Sequence, residues 1–280
     1  MGRRVDRKWL SAQGTLLCGI LNVTPDSFSD GGRYLDPATA LARARQMRAE
    51  GADIIDIGAE STRPGAQEVP AEEEIVRLNP IVRALVADGQ CPISIDTKKT
   101  AVMAAMLELG VDLINDVHGL EDDGALALLA RYPHVAICLM HMRGMPDTMQ
   151  QHTDYADVVS EVDAYLQARV AACLDAGISA ERLILDPGFG FGKTPAQNMA
   201  LIRDCRRFSH ERYPVLIGVS RKSTIGHYLD SAPVDARLYG SISLAALAAW
   251  QGAAIIRAHD IAATRDALRI ANALRPTTQS

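Results

Sequence analysis

The chain has 280 residues, of which 48% are apolar, 22% charged and 5% aromatic, with 21 glycines and 13 prolines. This composition is that of an ordinary globular protein and excludes a disordered, collagen-like or coiled-coil chain. The length leaves one large α/β domain or two small ones. The formal net charge of −5 argues against a general nucleic-acid or anionic-membrane surface, although a local basic cluster could still hold an anion.

Neither a membrane span nor a cleavable leader is expected. The most apolar runs, residues 16–21 and 244–250, are shorter than the roughly 18 residues that a span needs. Four basic residues lie within residues 3–8, but no small-residue cleavage site follows the first apolar run. The five cysteines form no C-x-x-C pair, so we expect reduced thiols in a cytoplasmic protein, with neither a disulfide framework nor a zinc site.

Eight short apolar runs rich in β-branched residues recur along the chain, each bounded by turn residues. Runs that are apolar on both faces are typical of a parallel sheet covered by helices. We predict strands at residues 16–21, 53–58, 92–95, 111–114, 135–140, 183–185, 215–219 and 253–256. Stretches with helical periodicity lie between them, so strands and helices alternate.

Proline and glycine mark the ends of the intervening helices. Helix starts are predicted at Asp36-Pro37, Thr194-Pro195 and Ala232-Pro233, the first two with a capping side chain. Helix ends are predicted at glycines that can adopt a left-handed conformation, which are Gly51, Gly110, Gly177 and Gly252.

The spacing of these units favours a closed barrel. The polar ends of the first and last runs, Asn22 and Arg257, are 235 residues apart over seven steps, or about 34 residues for each strand, helix and pair of loops. We therefore predict a single (β/α)8 TIM-barrel domain over residues 1–280, with its core at about 14–274. An open doubly wound sheet is the alternative.

Polar residues follow nearly every predicted strand, at the end of a barrel where active sites lie. Caps and turns explain a single Asp, Asn or Ser, but they do not call for lysine, arginine and histidine as well. Carboxylates and amides suit a flat heterocycle and the basic residues suit phosphate, so a phosphorylated heterocycle is indicated. The ring comprises Asn22, Glu60, Thr62, Arg63, Asp96, Asn115, Asp116, His141, Asp186, Ser220, Arg221, Lys222, Arg257 and His259.

Other familiar sites fit poorly. Residues 188–194 resemble a phosphate-binding P-loop, but Pro187 stands where its first glycine should be. The alternating glycines of this segment also lack the spacing of a dinucleotide fingerprint. A Schiff-base role for Lys222 stays open but is not favoured. His141 and His259 have no third soft ligand at zinc-binding spacing.

Eight ordered motifs resemble the dihydropteroate synthase family over about residues 14–274. They are residues 19–32 (GILNVTPDSFSDGG), 56–65 (DIGAESTRPG), 94–97 (SIDT), 114–117 (INDV), 140–144 (MHMRG), 185–193 (LDPGFGFGK), 220–223 (SRKS) and 257–260 (RAHD). The resemblance implies a transferase of folate biosynthesis that joins 6-hydroxymethyl-7,8-dihydropterin diphosphate to 4-aminobenzoate and releases diphosphate.

The resemblance also implies the role of individual residues. The pterin-binding set would be Asp96, Asn115, Asp186 and Lys222. The diphosphate end would hold Asn22, Arg63, Arg257 and His259, with Asn22 contacting Mg²⁺. The aminobenzoate pocket would hold Phe28, Thr62, Pro64, Phe191 and Ser220. The catalytic groups would be Arg63, Lys222, Arg257 and His259.

Partners and alternatives follow from the same resemblance. It implies a homodimer formed through the last helices and a target of sulfonamides, which mimic aminobenzoate. Another pterin-binding barrel, such as a methyltetrahydrofolate methyltransferase, would not need the diphosphate ligands, and a non-catalytic paralogue would be expected to lack a loop motif. His118 is the main departure from the family pattern, and it is interpreted as a loop histidine on the barrel rim.

Overall fold

A computed structural model describes residues 14–24, 36–61, 68–144 and 148–274. Strands and helices alternate along these ranges. In chain order they are β1 (Leu16–Asn22), α1 (Pro37–Ala49), β2 (Ile54–Gly58), α2 (Ala71–Asp88), β3 (Ile93–Asp96), α3 (Thr100–Leu109), β4 (Leu113–Asp116), α4 (Ala125–Ala130), β5 (Ala136–Met140), α5 (Val158–Asp175), β6 (Leu183–Asp186), α6 (Pro195–Arg203), β7 (Leu216–Ile217), α7 (Ser223–Tyr228), α8 (Leu238–Trp250), β8 (Ile255–Ala258) and α9 (Ile261–Leu274).

The eight strands form one parallel sheet in the order β6-β5-β4-β3-β2-β1-β8-β7. β1 lies inside this order, between β2 and β8, so β6 and β7 are its two ends, and an open sheet would leave these ends apart. A parallel bridge between Leu185 and Val215 joins β6 to the segment leading into β7. The eight strands and the barrel class are therefore confirmed, and the open-sheet alternative is wrong.

The strand bounds differ from the predicted ones by one or two residues at one or both ends, most of all in β4, β7 and β8, and β8 begins at Ile255, two residues later than predicted. β4 begins at Leu113, two residues later than predicted. β7 has only two residues, because its predicted run divides its pairing between two neighbours. Leu216 and Ile217 pair with β8, whereas Val215 bridges to β6 on the other side.

Most of the predicted helix ends are confirmed. Thr194 caps α6 in a capping box with Gln197, and each of the four predicted helix-ending glycines has a positive φ. Asp36 precedes α1 but makes no side-chain capping bond, and Pro233 opens a 3₁₀ turn that leads into α8. A short helix, α7, starts directly after Lys222 and lies between β7 and α8. Among the helices described, none is both long and apolar enough to span a membrane.

Alternation along the strands makes the barrel interior apolar at one end and polar at the other. A layer of buried apolar residues, including Cys18 and Cys138, fills the interior near the amino ends of the strands. Two residues further along a strand the same face is presented again, closer to the carboxyl end. There Ile54, Leu113, Ile184 and Ile255 are followed by Asp56, Asn115, Asp186 and Arg257.

Candidate active site

A buried hydrogen-bonded group joins β8 to β2 and β3. The Arg257 guanidinium donates through Nε to Asp56 Oδ2 at 2.6 Å and through Nη2 to Asp96 Oδ2 at 2.7 Å. Asn115 donates through Nδ2 to the same Asp56 oxygen at 3.2 Å. The Asp56 side chain is 1% exposed and that of Asp96 10%, so these charges are largely removed from water. Their attraction is correspondingly strong.

Two carboxylates share the one guanidinium, and this arrangement shifts the pKa values of Asp96 and Arg257. Burial raises the pKa of Asp96 from 3.8 to about 7; the nearby Arg257 opposes the rise and Asp56 adds to it. For Arg257, burial disfavours the charged form, but Asp56 and Asp96 outweigh it and raise the pKa of the guanidinium. The group therefore tends to hold a proton on a carboxyl near neutral pH.

Asp56 is absent from the predicted site residues, although it opens the second family motif. Its Oδ1 atom is buried without a hydrogen-bond partner among the residues described. The signal that would have found it is its position two residues after the inward-facing Ile54. Asp56 thus lies on β2, between β1 and β3, which carry the predicted site residues Asn22 and Asp96.

Asp186 lies at the end of β6 and is oriented by the loop that follows. The Gly188 backbone N–H donates to Asp186 Oδ1 at 2.7 Å. Burial raises the pKa of this carboxyl, while Lys222, the Gly188 hydrogen bond and Lys193 act in the opposite direction. Asp186 thus offers a poorly solvated acceptor at the carboxyl end of the barrel.

Lys222 follows β7 and reaches across to the loop after β6. Its Nζ donates to the Phe189 carbonyl oxygen and lies 4.4 Å from the centre of the Phe191 ring. Burial lowers the pKa of Lys222 to about 8, against the opposing attraction of Asp186. Arg221, just before it, has a φ of 58°, an uncommon left-handed conformation, and its guanidinium forms a bidentate pair with Asp260.

Ser220 and His259 are also brought together, since the loops after β7 and β8 are neighbours. Ser220 Oγ accepts the His259 backbone N–H at 3.2 Å and lies 3.0 Å from His259 Nδ1. Asn22 ends β1 and is half-buried beside Gly58 of β2. In the described ranges, no group of three or more His, Cys, Asp or Glu side chains could hold a metal ion.

The two aromatic residues after β6 have different surroundings. Phe191 packs in a small apolar cluster with Val117, Met140 and Met149 and touches the site through Lys222. Phe189 is fully buried in the main core, so its side chain anchors the loop; its carbonyl accepts from Lys222, whose Nζ lies 5.8 Å from the centre of the Phe189 ring.

Four predicted site residues, Phe28, Thr62, Arg63 and Pro64, lie outside the described residues. The chain on either side of residues 62–67 is held by a charged network that the sequence did not reveal. Glu60 accepts the Val69 backbone N–H at 2.9 Å, and Lys99 Nζ donates to Glu60, to the Val69 carbonyl and to Glu74. Lys99 was not predicted because it lies three residues beyond the end of β3.

His118 is the half-buried loop residue that the sequence indicated. Its backbone N–H donates to Asp116 Oδ1 at 2.8 Å and its carbonyl accepts from the Tyr165 hydroxyl. Burial lowers the pKa of the His118 imidazole, and Lys98 acts in the same direction. The contacts hold the loop after β4 and do not involve the predicted substrate residues.

The fold and site together define a parallel barrel whose carboxyl end carries buried carboxylates, an amide and a lysine, groups that suit a small polar ligand. Residues 18–259 match the family described as pterin binding enzyme. The chain is 52% identical to dihydropteroate synthase of Neisseria meningitidis serogroup B over 92% of both chains.

Solved structures agree. A Yersinia pestis dihydropteroate synthase in a sulfonamide drug complex aligns with a TM-score of 0.90 at 44% identity, over 96% of both chains. A Xanthomonas albilineans dihydropteroate synthase with 4-aminobenzoic acid aligns with a TM-score of 0.88 at 44% identity, over 94% of both chains. The chain belongs to the dihydropteroate synthase family of pterin-binding enzymes, which confirms the resemblance seen in the motifs.

Proposed function

We propose that the protein joins 6-hydroxymethyl-7,8-dihydropterin diphosphate to 4-aminobenzoate, forming 7,8-dihydropteroate and diphosphate in folate biosynthesis. Family membership supports this reaction, as does the similarity to a relative with bound 4-aminobenzoic acid. The observation that carries the proposal is the set of buried carboxylates and Lys222 at the carboxyl end of the barrel.

The pterin is assigned to the deepest polar residues. A pterin carries an amino group and ring N–H groups that need acceptors, and a carbonyl oxygen that needs a donor. Asp96, Asn115 and Asp186 supply acceptors, and Lys222 supplies an ammonium donor. Because these groups are already poorly solvated, few water contacts are lost on binding and each hydrogen bond is strong.

The diphosphate is assigned to Asn22, Arg63 and His259 at the rim, together with Arg257, whose guanidinium also pairs with Asp56 and Asp96. Mg²⁺ fits this end, because it takes oxygen ligands and is commonly held by few protein groups and by substrate phosphates. Asn22 offers such an amide oxygen at the end of β1. When bound, the ion would neutralise charge on the departing diphosphate.

The aminobenzoate is assigned to Ser220 and Phe191, together with Phe28, Thr62 and Pro64. Ser220 is close to Lys222 in the chain and bonded to His259, so it links the pterin residues to the rim. A sulfonamide would compete here as a mimic of aminobenzoate, as the drug complex of the Yersinia pestis relative supports.

The reaction proceeds by a dissociative displacement. The bond from the pterin methylene to the diphosphate oxygen breaks, and its electron pair leaves on the diphosphate. The amine nitrogen of aminobenzoate then forms the new carbon–nitrogen bond and loses a proton. The protein orients the reactants and stabilises charge: Arg63, Arg257 and His259 face the diphosphate, Lys222 holds the pterin, and the carboxylates stabilise the pterin cation.

The organisation of the protein is part of the proposal. The chain forms one domain, and exposed apolar side chains on α8 and α9 support a homodimer through these helices: Tyr239, Leu247, Ile270 and Leu274 are each more than half exposed. Five free cysteines, four of them buried, support a reducing, cytoplasmic location. Sedimentation of the purified protein as a monomer at micromolar concentration would contradict the homodimer.

The activity is tested with purified protein, pterin diphosphate, 4-aminobenzoate and Mg²⁺, by measuring dihydropteroate and diphosphate together. Equal amounts of the two products are expected. The variant Asp186→Asn should weaken pterin binding because the pterin donors lose their charged acceptor. The matched control is Asp204→Asn at the end of α6, which should leave turnover unchanged. A folded sample without turnover refutes the proposal.

A further inference from the structure

Lys193 ends the glycine-rich segment between β6 and α6 and is 2% exposed. Its Nζ lies 3.0 Å from the Gly188 carbonyl oxygen, 2.9 Å from the Phe191 carbonyl oxygen and 3.0 Å from His141 Nδ1. None of these three partners is a carboxylate. The buried Lys193 side chain thus bonds to two carbonyls of its own loop, residues 188–193, and to His141, the residue after β5.

The three partners of Lys193 indicate the protonation states of Lys193 and His141. Burial lowers the pKa of His141 to about 3, and Lys193 acts in the same direction, so the imidazole is neutral and its Nδ1 can accept. Three acceptors surround the Lys193 nitrogen, and only an ammonium has three N–H donors to match them. Burial lowers the pKa of Lys193, while Asp186 favours its charged form. Because the three acceptors match the three N–H groups of an ammonium, we take Lys193 as charged.

The loop that Lys193 closes carries the contacts of two predicted pterin residues. The Phe189 carbonyl accepts from Lys222, and the Gly188 N–H donates to Asp186. The loop is folded tightly: Gly188 has a φ of 71°, and a Cβ there would lie 1.8 Å from the His141 carbonyl oxygen. A displacement of this loop would therefore move both the Phe189 carbonyl bonded to Lys222 and the Gly188 N–H bonded to Asp186.

We propose that Lys193 is a positioning residue for pterin binding: its ammonium bonds Gly188, Phe191 and His141 and so fixes the loop that orients Asp186 and Lys222. The inference rests on the proposed function, in which Asp186 and Lys222 hold the pterin. It gives a role to the lysine of a motif whose P-loop interpretation fails.

The test compares Lys193→Met with Thr194→Ala. Methionine fills a similar volume without donors, whereas Thr194→Ala removes the cap of α6 and keeps the ammonium contacts. The probe is 6-hydroxymethylpterin, whose binding is followed by its fluorescence. For Lys193→Met we expect the pterin Kd to rise about tenfold or more. Thr194→Ala should lower Tm and leave the pterin Kd unchanged.

If Lys193→Met does not fold, two substitutions at His141 test the same inference. His141→Asn keeps an oxygen acceptor for Lys193 and should retain pterin binding better than His141→Ala. Equal pterin Kd values for these two variants overturn the inference, as does a Lys193→Met protein that binds pterin like wild type or no more weakly than Thr194→Ala. A wild-type protein that binds pterin without turnover contradicts the proposed reaction alone, and one that does not bind pterin contradicts both.

Discussion

Replacing Asp96 by asparagine should make the protein more stable at alkaline pH while weakening pterin binding. Asp96 and Asp56 share the guanidinium of Arg257, so the buried group carries one carboxylate more than its counter-ion balances. An asparagine keeps an oxygen that accepts from Arg257 and removes the surplus charge. The free energy of unfolding should then change with pH differently in the variant and in the wild type.

The magnitude follows from the shift of the Asp96 pKa, from 3.8 to about 7. At low pH both the folded and the unfolded chain hold the proton, and ionisation costs the folded state nothing. Between pH 5 and pH 7 the unfolded chain is ionised and the folded chain is not, so wild-type stability falls by about 1.4 kcal/mol per pH unit. The loss over that interval is roughly 2.7 kcal/mol, and it stays constant at higher pH.

Urea unfolding of both proteins at pH 5, 6, 7 and 8 measures the effect. The stability of Asp96→Asn relative to wild type should rise by roughly 2 to 3 kcal/mol between pH 5 and pH 8. Asp122→Asn is the control, because burial does not dominate there and hydrogen bonds lower the pKa of that carboxyl. A relative stability of Asp96→Asn that is flat or falls with pH would refute the assignment of the surplus charge to Asp96.

Three further outcomes are expected. Pterin affinity in wild type should be greatest between the pKa values of about 7 for Asp96 and about 8 for Lys222, and a fluorescence titration of Asp96→Asn should lack the acid limb. Arg257→Ala should lower the free energy of unfolding at pH 8 by about 3 to 5 kcal/mol, since two buried carboxylates lose their counter-ion; urea unfolding tests this against Arg257→Lys, which retains a charge. Gly188→Ala should destabilise by more than about 3 kcal/mol, whereas Gly177→Ala, with no atom within 4 Å of its Cβ, should cost about 1 kcal/mol by the same measurement.

Local sequence was enough for the architecture. Each strand is a short apolar run, and each predicted helix end is set by a residue with its own conformational preference, as at Gly110, which has a φ of 91°. These preferences act over a few residues and need no knowledge of the rest of the chain. The shortness of β7 could not be foreseen, because it depends on which neighbours the strand pairs with.

The sequence by itself also placed polar residues after the strands, and its motifs identified the family. Only the tertiary structure decided which of those residues act together. Arg257 meets Asp56 across 201 residues of chain because β1, between their strands, pairs with both β2 and β8 when the barrel closes. The same closure buries their charges, and burial shifts the pKa of Asp96 by an amount that no local pattern contains. The bonds of Lys193 to His141 likewise exist only because β5 and β6 are neighbours.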